Sequence, residues 1–308
     1  MQGPSAPRGA EDPNRPAVVV TGASSGIGHD VARHLSHRGY LVFGGVRSAE
    51  AAHRLAETFP RGVHPLVFDI LDRSAILEAR DTVRLVLEGR RLCGLVNNAG
   101  IAEGGPLQFL DDERFRRQIE VSVFGTRNVT NAFLPLLGAG TDTEVAPQGL
   151  PGRIVNITSI SGILNTPMNG AYCVAKHAVE SLGEVYRREL MQYGIDVVSI
   201  QPGPIQSLLW DKTEGSLDEF ADTPYGTMAR NADQIMRDAR RDALPAEVVS
   251  RLVERTLTSR RPRLSYIVHR HTWRVAMLAK VLPSRIVDRL LWRRLSRASP
   301  TPRLPSEP

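Results

Sequence analysis

"VVVTGASSGIGHDVARHL", Val18 to Leu35, joins a β-branched apolar run to an amphipathic segment through a turn carrying Gly22, Gly26 and Gly28. A strand written as an unbroken apolar run has both faces covered, as strands of a parallel sheet flanked by helices do. Glycines in such a turn let the backbone come close to a pyrophosphate, and the N–H groups at the helix start favour its negative charge. Three glycines alone would also fit a tight turn with no ligand. The strand before them and the helix after them favour the phosphate site.

The same alternation continues outward. "YLVFGGV", "VHPLVFDI", "LCGLVNNAG", "RIVNITS" and "IDVVSIQPG" read as further buried strands, separated by segments of helical period such as "DERFRRQIEVSVFGTRNVTNAFLPLL". A repeated βα unit of this kind predicts an α/β fold, a doubly wound parallel sheet. "GAGTDTEVAPQGLPG", Gly138 to Gly152, is polar and rich in glycine and proline, and reads as a mobile surface loop. The alternation stops after Pro202, and Leu208 to Leu244 is expected to form a lid or pocket wall without regular pattern. From Thr272, "TWRVAMLAKVLPSRIVDRLLWRRLSR" reads as two short helices divided by Pro283. Residues 1–15 are therefore expected to be a disordered tail, 16–260 one main domain with its lid at 206–244, and 261–308 a basic amphipathic helical C-terminal extension.

Composition narrows the partners. The 308 residues carry 39 Lys and Arg against 33 Asp and Glu, a net charge of +6 whose excess falls late in the chain. A uniformly basic protein would point to nucleic acid; a basic end points instead to an anionic surface, a partner or solubility. No nucleic-acid partner and no metal site are expected. Cys93 and Cys173 sit in unlike settings and form no disulfide framework, which fits a reducing compartment. The start, "MQGPSAPRGAEDPNRP", has no apolar signal core, and no apolar run approaches the roughly 20 residues that span a bilayer. A cytoplasmic location is the expectation, with peripheral membrane contact through the C-terminal helices as a further reading.

"IVNITSISGILNTPMNGAYCVAKHAVESL", Ile154 to Leu182, brings a strand end to a helix start. Tyr172 and Lys176 are four residues apart, so they share one helix face. A tyrosine near pKa 10 is a poor acid or base at neutral pH. An ammonium about 4 Å away, at an effective dielectric of about 20, could favour the phenolate by about 4 kcal/mol, or nearly 3 pKa units. Lys176 is thus expected to bring Tyr172 into the range of general acid/base work, while Ser159 at the strand end holds the reacting oxygen.

Taken together, Thr21 to Gly28 as TGxxxGxG, "NNAG" at Asn97 to Gly100, the Ser159, Tyr172 and Lys176 set, and Pro202 with Gly203 resemble the short-chain dehydrogenase/reductase family from Ala17 to Ser207. The resemblance implies a Rossmann-type sheet and hydride transfer between NAD or NADP and an alcohol or carbonyl. It places Gly22, Ser24, Ser25, Gly26, Ile27 and Gly28 at the pyrophosphate. It further implies Asp69 and Ile70 beside the adenine, and Asn98, Ala99 and Gly100 along the cofactor. Tyr172 and Lys176 would lie at the nicotinamide ribose, and Pro202, Gly203, Ile205 and Ser207 at the nicotinamide end. In "YLVFGGVRS" the strand ends at Val46 without a carboxylate and is followed by Arg47, which favours NADP over NAD. A merely solvated Arg47 would leave NAD open, and Asp69 could instead cap a helix.

One position departs from the pattern. Where the family usually has an Asn that anchors a water relaying protons to the Lys, "EVSVFG" has Ser122. Asn128 lies about 240° further round a helix and cannot stand in. Ser122 could hold the water through its hydroxyl, or the relay could be impaired, leaving a nucleotide-binding scaffold or sensor. Leu208, Leu209 and Trp210 begin the variable wall of the site and fit a hydrophobic substrate as well as plain packing. The overall pattern is similar to retinol and hydroxysteroid dehydrogenases, which implies a lipophilic, steroid-like or retinoid-like alcohol or ketone as substrate, and a homodimer or homotetramer.

Overall fold

Ala17–Thr21 (β1) forms the centre of a parallel sheet in a computed structural model that describes residues 15–139, 150–206, 215 and 217–296. Its neighbours are Leu41–Val46 (β2), Val63–Val67 (β3), Gly94–Asn97 (β4), Arg153–Ile157 (β5), Asp196–Pro202 (β6) and Ser265–Val268 (β7). The seven strands run β3-β2-β1-β4-β5-β6-β7, so the order reverses between β1 and β4. In open α/β sheets the crevice at that reversal, outside the carboxyl ends of the strands, is where ligands bind. The expected doubly wound parallel sheet is therefore present.

Two apolar layers cover the sheet. On one side, Val31, Ala32 and Leu35 of Gly26–His37 (α1) and Leu55 of Ala49–Thr58 (α2) pack on the alternate residues Val18, Val20 and Val42. On the other, Ile76 and Val83 of Arg73–Leu87 (α3) and Phe133 of Thr126–Leu137 (α5) pack on Val19, Phe43 and Leu95. Strands buried on both faces are nearly continuous apolar runs, which explains why they were readable from sequence. Asn97 is one of the buried polar exceptions: its Nδ2 donates to Asn156 Oδ1 and to Thr130 Oγ1, each at 3.0 Å, tying β4 to β5 and α5. The helix after β4 is interrupted. Asp112–Ile119 (α4) passes through a π-turn at Glu120–Gly125 before α5 begins.

Beyond β6 the structure differs from the pattern expected. β7 lies within the stretch read as a helical extension, yet it pairs in parallel with β6, Ser199 opposite Ser265. It has only four residues, three of them partly exposed at the sheet edge, so it lacks the continuous apolar signature. Gly226–Arg241 (α7), inside the stretch expected to be irregular, is a helix whose buried face consists of small and polar residues, Gly226, Ala229, Asn231, Ala232 and Asp233. Ala246–Thr258 (α8) packs along α1, where Glu254 accepts from Arg38 Nε and pairs with His34 Nε2, both at 2.7 Å. Thr272–Lys280 (α9) and Ser284–Leu295 (α10) follow, divided at Pro283 as the sequence predicts. Most of the N-terminal tail and of the loop 138–152 lies outside the described residues. Among the described residues no helix is long and apolar enough to cross a membrane. Cys93 and Cys173 are both free, and no cluster of metal-ligating side chains occurs among the described residues.

Candidate active site

A cleft of about 740 Å3 opens over the carboxyl ends of β1, β2, β4, β5 and β6. That volume lies in the range of small-molecule and cofactor sites. The glycine turn forms its floor. Gly22 and Gly26 have φ of +68° and +58°, the left-handed region that glycine enters without strain. A Cβ on Gly22 would stand 2.9 Å from Ala99 Cα, and one on Gly28 would fall on Asn98 Nδ2 and the Gly22 carbonyl oxygen. Gly28 thus acts beneath the turn, as a packing position, while Gly22, Ser24, Ser25, Gly26 and Ile27 line the cleft. Ser25 stands at the N-cap of α1, but its side chain caps none of the helix N–H groups. The first turn of α1 therefore retains donors for a ligand.

Thr21, at the end of β1, latches this turn to the loop after β4. Its Oγ1 accepts from the backbone N–H groups of Asn98 at 2.9 Å and Ala99 at 3.0 Å, while Asn98 Nδ2 donates to the Thr21 carbonyl at 3.0 Å. Asn98, Ala99 and Gly100 are placed along the cleft by these bonds. Sequence reading places Thr21 at the start of the glycine motif but gives its side chain no role; a hydroxyl ending a buried apolar strand was the available signal.

At the far end of the cleft, Arg47 is exposed on the lip after β2. Arg54 lines the same end from α2. It was missed in the sequence because an arginine on an exposed helix face is ordinary; only the packing of α2 beside β2 brings it to the cleft. Ser48 caps α2, accepting from Ala51 N–H at 3.2 Å. Asp69 and Ile70 line the cleft. The helix-cap reading of Asp69 is not what the structure has: Asp72 caps α3, accepting from Ser74 and Ala75 N–H, while Asp69 Oδ1 accepts from Leu71 N–H at 2.9 Å. Asn128 donates to the Ile70 carbonyl at 3.4 Å, away from the tyrosine end, in keeping with its helical angle.

Ser159, Tyr172 and Lys176 meet at the opposite end, with Pro202, Gly203 and Ile205 forming the adjoining wall. Ser207 and Leu208 to Trp210 lie outside the described residues. Tyr172 and Lys176 come from the first turns of Gly170–Glu189 (α6). The start of α6 is fixed by a bridge between Gly105 and Asn169, and Met168 beside it has φ +66°, strained for a residue with a side chain. Lys176 Nζ donates to the Ile157 carbonyl at 3.2 Å and lies 5.6 Å from the centre of the Tyr172 ring.

The electrostatics correct the simple pairwise expectation. Burial pushes the Tyr172 phenol up to about 12, and a hydrogen bond with Ser159 only partly opposes it. Burial pulls Lys176 down to about 8 from its ordinary 10.5, against the attraction of Glu180. Lys176 therefore does not draw the phenol into the neutral range in the protein alone, because desolvation disfavours both charged forms. Ser122 does not line the cleft; it is buried in the π-turn, with Val121 at the cleft wall.

The sequence pattern described as short chain dehydrogenase matches residues 16–216. The chain belongs to the short-chain dehydrogenase family. As a member it is an NAD(P)-dependent oxidoreductase acting between alcohol and carbonyl. It is 35% identical over 280 residues to the NADPH-dependent 3-dehydrocapnine reductase of Ornithobacterium rhinotracheale, covering 91% of this chain and 97% of that one. It is 29% identical over 305 residues to estradiol 17-beta-dehydrogenase 2 of Mus musculus, covering 93% and 76%. A short-chain dehydrogenase from Streptomyces avermitilis shares the fold with a TM-score of 0.72 at 23% identity, over 93% of this chain and 99% of that one.

Proposed function

We propose that this short-chain dehydrogenase prefers NADP and interconverts a lipophilic ketone and alcohol, with Tyr172 passing the proton. The observation that carries the reading is one cleft with two chemically distinct ends: Ser159, Tyr172 and Lys176 at one, Arg47 and Arg54 at the other, with the glycine turn between. The residues fit a dinucleotide, since the turn leaves no room for a Cβ at Gly22 or Gly28 and the helix start above it has no side-chain cap. The first turn of α1 would hold the pyrophosphate, Asp69 and Ile70 the adenine side, and Tyr172 and Lys176 the nicotinamide ribose. The nicotinamide supplies hydride when bound. Ser159 orients the substrate oxygen and Tyr172 gives it a proton in reduction, while Lys176, close to Gly100 and Ile157, holds positive charge beside the phenol.

Preference for NADP rests on two guanidinium groups, each able to make charge-assisted bonds to the 2′-phosphate. The NADPH dependence in the name of the Ornithobacterium relative supports it. Replacing Arg47 or Arg54 by Ala is expected to weaken NADPH binding roughly tenfold to a hundredfold, with NADH binding little changed. Fluorescence titration of both cofactors checks this; an unchanged ratio of affinities in both variants would remove the arginines from the site. A lipophilic substrate is supported by the apolar wall of Ile101, Val121 and Ile205, and by the steroid name of the mouse relative.

The C-terminal helices support peripheral contact with an anionic bilayer. α9 exposes Trp273 and Met277 at i and i+4, with exposed Val281 just after its end, while Val275 packs inward. α10 adds exposed Ile286 and Leu290, and Arg274, Lys280, Arg285, Arg289, Arg293 and Arg294 surround them. An apolar stripe among cations suits the headgroup boundary. Phe124, Val174 and Val185 are exposed and leave apolar surface that a second copy would cover. Because Leu295 packs into the cluster of Met168 and Phe220 under α7, point changes test the membrane contact better than truncation. Full-length protein is expected to co-sediment with vesicles containing phosphatidylserine and not with pure phosphatidylcholine, and Trp273→Ser with Val281→Ser is expected to abolish this. Equal sedimentation of wild type and variant would count against the contact.

A further inference from the structure

Gln118 is wholly buried at the end of α4, one turn before Ser122, and every polar atom of its carboxamide is engaged. Its Oε1 accepts from the backbone N–H of Glu103 at 2.8 Å. Its Nε2 donates to the Ile101 carbonyl at 3.2 Å and to Ser122 Oγ at 2.8 Å. The two backbone groups fix which way the amide faces, because an N–H must meet the oxygen and a carbonyl must meet the nitrogen. Gln118 therefore always presents a donor to Ser122. The serine hydroxyl accepts on that side and keeps its own proton to donate onward. The Ser122 backbone carbonyl accepts from Thr126 Oγ1 at 2.7 Å, and the hydroxyl, accepting from Gln118, is the group of that residue that still has a proton to give.

The same carboxamide joins the two walls beside Lys176. One is the loop after β4, where a Cβ on Gly100 would stand 3.9 Å from Lys176 Nζ and where Ile101 lines the cleft. The other is the π-turn, which packs on α6 and places Val121 in the cleft wall. A π-turn breaks the regular backbone ladder and is found frequently at functional sites. We infer that Gln118 is a positioning residue for proton transfer at Lys176, supplying from one turn earlier the amide that an Asn at position 122 would bring, and aiming the Ser122 hydroxyl. This rests on the proposed roles of Tyr172 and Lys176. It also answers the departure at Ser122: the amide absent from position 122 is supplied at position 118, bonded directly to the serine hydroxyl.

The test compares Gln118→Ala, the near-isosteric Gln118→Glu, and Gln118→Ala with Ser122→Asn, in the full chain with NADPH and a turned-over ketone. Both single changes are expected to lower kcat by about tenfold or more, since a misaimed acid/base group forfeits part of its effect. The KM for ketone and the NADPH affinity should stay within about twofold, because neither ligand touches Gln118. Adding Ser122→Asn to Gln118→Ala should restore most of kcat. Hydrogen exchange at the Glu103 amide, protected in wild type, should quicken in Gln118→Ala independently of turnover. Unchanged kcat in both single variants, or a loss that Ser122→Asn fails to restore, overturns the inference while leaving Tyr172 in place if Tyr172→Phe is inactive. A fully active Tyr172→Phe overturns the catalytic reading and this inference together.

Discussion

Tyr172→Phe is expected to lower kcat about a thousandfold while NADPH still binds, because the change removes one hydroxyl and leaves the ring packing in place. With its phenol pushed up to about 12, Tyr172 stays protonated across the physiological range, which suits donation to a forming alkoxide. In the reverse direction the same group must first lose its proton, so alcohol oxidation should quicken with rising pH below the tyrosine value. Reduction should instead decline above about pH 8, where Lys176 loses its charge beside the phenol. Steady-state rates in both directions from pH 6 to 10, with a parallel NADPH titration, separate the lost proton from lost cofactor binding. Phenylalanine activity near that of wild type would show that another group carries the proton.

Lys176→Met should combine a large loss of turnover with a gain in stability. Burial holds Lys176 at about 8 in the folded protein against 10.5 in the unfolded chain, with the attraction of Glu180 insufficient to offset it. Between those values the unfolded chain binds more protons than the folded one, so stability rises with pH across the window from about 8 to about 10.5. Below pH 8 the full penalty applies, about 3 kcal/mol. Methionine fills similar volume without it, but leaves the Ile157 carbonyl without the Lys176 donor, which takes back about 1–2 kcal/mol. Urea unfolding should therefore show the variant more stable at pH 7, by about 1–2 kcal/mol, and no more stable than wild type above pH 10.5. A variant less stable at pH 7 would mean that Lys176 is a structural cation rather than one held against its solvation.

The readable parts of the chain were those whose chemistry is local. β1, β2 and β4 to β6 announce themselves because strands covered on both faces are nearly continuous apolar runs, and Tyr172 and Lys176 because four residues of helix put them on one face. β7 was hidden because a short edge strand is only half covered, and α7 because its buried positions are small or polar. Arg54, Thr21 and Gln118 gain their roles from tertiary contacts, α2 beside β2, β1 against the loop after β4, and α4 against that same loop. Nothing within a few residues of Arg54 or Gln118 reveals these contacts, and for Thr21 the motif around it marks the turn but not the latch. The proton affinities were the hardest to anticipate. Spacing suggested that Lys176 would lower the phenol, but spacing carries no information about burial, and burial decides both groups.

The most direct measurement follows the hydride itself. Purified protein is incubated with NADPH deuterated at the transferable C4 position and a panel of steroid-like and retinoid-like ketones or aldehydes, and products are examined by mass spectrometry. Deuterium should appear at the new carbinol carbon of at least one lipophilic product, in one stereochemical sense, and should be absent with Tyr172→Phe. Tight NADPH binding with no deuterium in any product would contradict the account and leave a nucleotide-binding scaffold in its place.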